Sequence, residues 1–182
     1  MPDHLSPQQR HANMAAIHAK DTKPEVMVRK YLWHQGFRYR LNHRRLPGKP
    51  DIVLLRYHTC IFVNGCFWHG HNLNLQSDNL QYTIESSECC KIPTTNREFW
   101  VKKILRNRER DEEVRKKLAD MGWFCITVWE CDLKPQRREQ TLQALVYSLS
   151  RIMLRLHAKP TALRPEEEHL TMAAEEETEY RQ

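Results

Sequence analysis

The sequence predicts an α/β fold in which a mixed central sheet is flanked by helices. Three observations predict it. Two short apolar runs, "DIVLLRY" and "TCIFVNG", follow one another in the first half of the chain. A third, "WFCITVW", comes only after a long charged stretch with helical spacing. Amphipathic segments precede the first run and follow the last, so the order is helix, strands, helix, strand, helix.

Each element has its own signal. Residues 1–20 are polar, with Met14, Ala15, Ala16 and Ile17 as a weak helical patch, and read as an N-terminal arm. In "TKPE", Thr22 and Glu25 have the spacing of a capping box, and Pro24 is tolerated in a first turn. The helix should run through Val26, Val28, Tyr31 and Leu32 and stop near Gly36. "FRYRLN" alternates like a strand and "LPGKP" is a turn. "DIVLLRY" and "TCIFVNG" are apolar enough to pair as a hairpin near the middle of the sheet.

Residues 72–97 are polar and expected to be irregular, too long for a routine loop and therefore in need of a tether. From Glu98 to Met121 a long helix is predicted, with Trp100, Ile104, Val114, Leu118 and Met121 as its buried stripe and Gly122 as its stop. "WFCITVW" is a strand, and Gln140 to His157 a final amphipathic helix. The segment "RPEEEHLTMAAEEETEYRQ" has too little apolar content to fold alone and reads as a disordered acidic tail. The chain thus divides into an arm (1–20), one folded domain (21–157) and a tail (158–182).

Charge narrows the partner. The chain has 182 residues, with 29 Lys and Arg against 23 Asp and Glu, a net +6. Seven Glu against two Arg after Lys159 give the tail −5, so the body carries +11. A basic body of this size suits a polyanion, nucleic acid first, although a basic enzyme without such a partner has the same composition. No apolar run suits a secretory signal or a membrane span. Six Cys without export imply a reducing compartment, where thiols and metal ligands are favoured over disulfides. The chain reads as cytosolic.

The chemistry concentrates in "FVNGCFWHGHN", Phe62 to Asn72. Asp51 enters an apolar strand from a turn, where its carboxylate can hold a hard cation such as magnesium, with the Val63 carbonyl as a second oxygen. Cys66 and His71 can share a zinc ion if their loop folds back. The remaining ligands would come from Cys131 and from one of Cys89 and Cys90, which would pin the 72–97 segment to the sheet. Cys60 and Cys125 lie inside strand runs and read as buried thiols. His69 can take a proton from an attacking water, since imidazole titrates near neutrality. Phe67 and Trp68 are adjacent and cannot both face one core, so one can stack on bases; Trp100 is a further candidate.

These residues resemble a known family. "PGKPD", "CIFVNGCFWHGH", "PTTNREFWVKKILRNRERD" and "GWFCITVWECDL", with "RHANMAAIHAKDTKPE" before them, are similar to the very short patch repair endonucleases. The resemblance runs from residue 8 to about 150, with one insertion, "NLQSDNLQYTIESSE". It implies a restriction-endonuclease-like core, a structural zinc site and a magnesium-dependent enzyme. That enzyme nicks double-stranded DNA 5′ to the thymine of a T·G mismatch left by deamination of 5-methylcytosine. Asp51 would bind magnesium with the Val63 carbonyl, His69 would be the general base and Glu25 would support the site. Phe67, Trp68 and Trp100 would wedge into the duplex while the arm around Met14 enters from the other groove. Zinc would be bound by Cys66, His71, a later Cys (Cys89 or Cys90) and Cys131.

The expected setting is a monomer in the bacterial cytosol and nucleoid, with other mismatch-repair proteins as further partners. The sequence departs from the family's habit in three places. Leu73 fills the usual site of the third zinc ligand, Asn64 stands where some members carry His, and "FVN" lacks the second half of the restriction-enzyme pattern Pro-Asp…Glu-x-Lys. The rival readings are a zinc-stabilised DNA-binding module without catalysis and a related nuclease with another target. A thiol redox role for Cys89-Cys90 is disfavoured, because adjacent Cys close only a strained ring.

Overall fold

The computed structural model describes residues 6, 8, 9, 12, 20–41, 43–78, 81–85 and 87–158, with the backbone alone at 74–78 and 81–85. Met14, nearly all of the arm and all of the acidic tail after Ala158 lie outside the described residues. The described part is a mixed α/β structure. Helix α1 spans Lys23–His34, α2 Arg97–Asp120 and α3 Arg138–His157. Strands β1 (Ile52–Leu54), β2 (Thr59–Asn64) and β5 (Phe124–Trp129) form one sheet in the order β1-β2-β5.

β1 and β2 are antiparallel, with Ile52 opposite Ile61, and are joined through a 3-10 turn at Leu55–Tyr57. β5 runs parallel to β2, with Thr59 opposite Phe124 and Asn64 opposite Trp129. A parallel pair needs a long crossover, and α2 provides it. The predicted strand in "FRYRLN" is reduced to one bridge: Arg40 and Val53 exchange two backbone hydrogen bonds of 2.8 Å.

Alternation along the strands explains why these runs are apolar throughout. Ile52, Leu54 and Ile61 share a core with Val28 and Leu32 of α1 and Leu142, Leu145 and Leu149 of α3. Val53 and Cys60 point the other way, to Leu118 of α2 and Leu46. A sheet covered on both faces buries every side chain of its inner strands. Each fully buried Leu or Ile contributes about 1.5–3 kcal/mol.

Two further expectations need correction. Residues 72–97 are not irregular throughout, since β3 (Asn74–Asp78) and β4 (Gln81–Glu85) pair as an antiparallel hairpin. Backbone pairing inside the segment satisfies polar groups that a polar composition left without an evident partner. Met121 is not on the buried stripe of α2: it follows the last turn and is 51% exposed.

Candidate functional site

The strand directions gather the distinctive residues at one edge of the sheet. β2 and β5 are parallel, so the loop after Asn64 and the 3-10 turn Glu130–Leu133 leave side by side. β1 runs the opposite way, so its entry residue, Asp51, lies beside the end of β2. Three separate chain segments therefore meet there.

The Asp51 Oδ2 accepts a 2.8 Å hydrogen bond from the Val63 N–H. An extended residue's N–H and C=O project to the same side of its strand, so the Val63 carbonyl faces Asp51 as well. Burial raises the Asp51 carboxyl to about 6; the Val63 N–H opposes that rise, the Glu25 charge adds to it, and the charges of His69 and Arg29 lower it. Asp51, Val63, Asn64, Glu25 and His69 all line one cleft of about 760 Å³.

Glu25 reaches this cleft through the cap of α1. The Thr22 hydroxyl oxygen accepts from the Glu25 N–H at 3.4 Å and the same hydroxyl donates to Glu25 Oε1 at 2.8 Å. The other oxygen, Oε2, accepts from the Asp21 N–H at 3.0 Å, which is one residue before the N-cap. The capping box is therefore present in a shifted form.

The loop from Gly65 to Leu73 is a run of tight turns, with His71 N–H bonded to Cys66 O at 2.9 Å and Leu73 N–H to Gly70 O at 3.3 Å. Gly70 has φ +61, and a Cβ there would stand 2.6 Å from Ile104 of α2. Glycine thus lets the loop press on α2 while two His diverge on either side of it. His69 turns towards the cleft, where its Nδ1 makes a short hydrogen bond to Asp111 Oδ2 of α2. His71 turns the other way and stacks on Trp129 at 4.0 Å and 13°.

Asp111 was not singled out from the sequence, yet a signal existed. Trp100, Ile104, Asn107, Asp111, Val114 and Leu118 recur at the three- and four-residue steps of one helix face. Asn107 and Asp111 are polar interruptions of that stripe, and both serve the loop. Asn107 Nδ2 donates to Trp68 O at 2.8 Å, while Asp111 holds His69. An Asp accepting from Nδ1–H leaves Nε2 as the free basic nitrogen.

On the other side of the loop, ligand atoms of Cys66, His71, Cys89 and Cys131 lie within 4.8 Å of one another and could hold a metal ion. The His71 Nδ1 is 3.7 Å from Cys66 Sγ, 3.4 Å from Cys89 Sγ and 3.2 Å from Cys131 Sγ. Tetrahedral zinc with bonds of about 2.0–2.3 Å sets its ligand atoms roughly 3.5–3.8 Å apart, so the donor set and its spacing fit that ion. Burial pushes the Cys66 and Cys131 thiols up and the His71 imidazole down. Cys90, the alternative third thiol, packs instead with Leu73, Ile92 and Ile104.

Phe67, Trp68 and Trp100 converge. Their ring centroids are 5.1 Å (Phe67–Trp100), 5.2 Å (Phe67–Trp68) and 6.0 Å (Trp68–Trp100) apart, all edge-on. All three are half-buried, and Trp68 also lines the cleft. Phe99, which the sequence reading passed over, adds an exposed ring 5.2 Å from Trp100.

Known proteins share this chain's residues. The family described as "DNA mismatch endonuclease Vsr" matches residues 2–75. A Type II nicking enzyme, V.NmeAIP, from Neisseria meningitidis serogroup A is 46% identical over 134 residues, covering 74% of this chain and 86% of the relative. The Type II nicking enzyme V.XorIIP of Xanthomonas oryzae is 38% identical over 133 residues, covering 73% and 88%. The DNA mismatch endonuclease Vsr of Escherichia coli K12 is 38% identical over 140 residues, covering 77% and 80%.

Proposed function

Because this chain belongs to the Vsr family of DNA mismatch endonucleases, we propose that it nicks one strand of duplex DNA 5′ to the thymine of a T·G mismatch, with magnesium as cofactor. The observation that carries this reading is the meeting of Asp51 and His69, from different chain segments, in one cleft beside a cluster of half-buried aromatic rings.

The oxygens of Asp51 and Val63 are the hard donors that magnesium takes, and they would hold it. The ion would offset charge on a phosphoryl oxygen of the scissile linkage. His69, with Nδ1 bonded to Asp111, presents Nε2 to take the proton from the attacking water. Asp111 keeps the ring in the tautomer this needs and stabilises the imidazolium that forms. Glu25, tied through the cap of α1, adds a carboxylate that orders water or cation at the cleft wall. Hydrolysis leaves a 5′-phosphate and a 3′-hydroxyl.

Phe67, Trp68 and Trp100 supply mismatch preference. A mispaired step costs less to unstack than a paired one, so inserted rings favour faulty sites. The arm around Met14 enters the opposite groove. Cys66, His71, Cys89 and Cys131 would hold zinc, and that link would fasten the loop of His69 to the end of β5 and anchor the β3–β4 hairpin between His71 and Cys89.

The test offers duplexes with T·G, other mismatches and full pairing, with and without magnesium, to the protein and to Asp51→Ala. Magnesium-dependent nicking of the thymine strand at T·G, abolished in Asp51→Ala with binding retained, is the expected result. Equal cutting of paired duplex would replace this reading by a nuclease of another specificity. Binding without cutting would replace it by a DNA-binding module.

A further inference from the structure

The cleft holds three cations that the reading above does not use, Lys49, Arg110 and Arg115. Lys49 lines the same cleft as Asp51 and His69. Its backbone has φ +49, a conformation uncommon for any residue with a Cβ. The next residue is Pro50, which further restricts the backbone before it.

The neighbours enforce this conformation. Pro50 is fully buried. Gly48, at φ +74, presses so closely on α2 that a Cβ would lie 2.3 Å from Val114 Cγ1. The strained residue between them is itself exposed, so its own packing does not explain why it is held there. Backbone strain that the surroundings over-determine, beside a reactive cleft, points to a positioned side chain.

The Lys49 ammonium makes no hydrogen bond or ion pair among the described residues. The Asp51 carboxylate two residues on is engaged by the Val63 N–H instead. Two residues of chain span at most about 7 Å, well within the reach of a lysine side chain. The carboxylates of Glu25, Asp51, Asp111 and Glu130 face the cleft, against the cations of Lys49, Arg110 and Arg115. Arg115 pairs with Glu112 at 3.5 Å. A phosphodiester approaching so many carboxylates needs a cation at its oxygens, and more so as charge builds during attack.

The geometry points to Lys49 as a catalytic residue whose ammonium donates to a non-bridging oxygen of the scissile phosphate. It supplies from the β1 side the lysine that "FVN" on β2 lacks. This inference rests on the proposed nicking activity.

The experiment measures single-turnover nicking and equilibrium binding of a T·G duplex by the unaltered protein, Lys49→Gln, Lys49→Arg and Lys49→Gly. Failure of the unaltered protein to nick would count against the proposed function itself. With that activity in hand, Lys49→Gln is expected to lose roughly a hundredfold in nicking rate, as removal of one charge-stabilising donor does, with affinity changed less than about threefold. Lys49→Arg should recover most of the loss. Lys49→Gly, which accepts the positive φ without strain, should melt no lower than the unaltered protein yet nick as slowly as Lys49→Gln. An unchanged rate in Lys49→Gln, or a loss wholly accounted for by weaker binding, would overturn the assignment.

Discussion

Asp51 shows how one residue couples chemistry to stability. Burial pushes its carboxyl up from the ordinary 3.8 to about 6. A raised folded pKa means that the fold binds the proton more tightly than the unfolded chain does. Asp51 therefore costs nothing below about pH 4, and its cost grows as pH rises to 6 and stays constant above. The full penalty is of order 3 kcal/mol. Asp51→Asn should melt higher than the natural protein at pH 7 without added metal, and the difference should vanish near pH 4. Equal melting of the two at pH 7 would show that the carboxylate is better solvated than its burial implies. The identity and position of this residue were legible from "PGKPD" before an apolar run. Its hydrogen bond to Val63 was not, because that depends on the β1–β2 register.

At the scale of elements, α2 carries the lesson about what a pattern hides. Its stripe was legible as Trp100, Ile104, Val114 and Leu118. The same periodicity places Asn107 and Asp111 on the inner face, where each has a partner in the 65–73 loop. A carboxylate in a dense charge run carries no mark of its partner; only the docking of the loop singles it out. Asp111→Asn preserves shape but can offer an N–H to His69 Nδ1, favouring the wrong tautomer. Nicking should fall by roughly 10²–10⁴, with duplex affinity within a few-fold; a rate near that of the natural protein would show that Asp111 only packs. The β3–β4 hairpin was missed for a related reason. Its residues lack a long alternating apolar run, and its strands are defined by backbone pairing.

For the whole molecule, the Cys/His cluster that could hold a metal ion joins parts of the chain that are far apart in sequence. His71 and Cys131 come from loops that the parallel β2–β5 pairing sets side by side. The protein as purified is expected to hold one zinc per chain by elemental analysis. Cys89→Ser should lose that metal and melt lower, whereas Cys90→Ala should keep it. Loss of zinc from Cys90→Ala alone would reverse the choice between the two adjacent thiols. The sequence left that choice open because neighbours in a chain differ little in reach, while their side chains point to different sides. Folding sends one to the cluster and the other into an apolar pocket with Ile92 and Ile104.

By itself the sequence determined the order of the three helices and of the strands β1, β2 and β5 between them, a sheet flanked by helices, the family and the residue types that carry the chemistry. Those properties are written in periodicity, composition and short motifs, which act locally along the chain. Only the tertiary structure decided which thiol joins His71, that Asp111 holds His69, and that Lys49 lines the cleft with a strained backbone and without a partner among the described residues. Those facts depend on strand register and on the close approach of a glycine-bearing loop and turn to α2. Register and approach are set by packing across the whole core, which no local stretch of residues encodes.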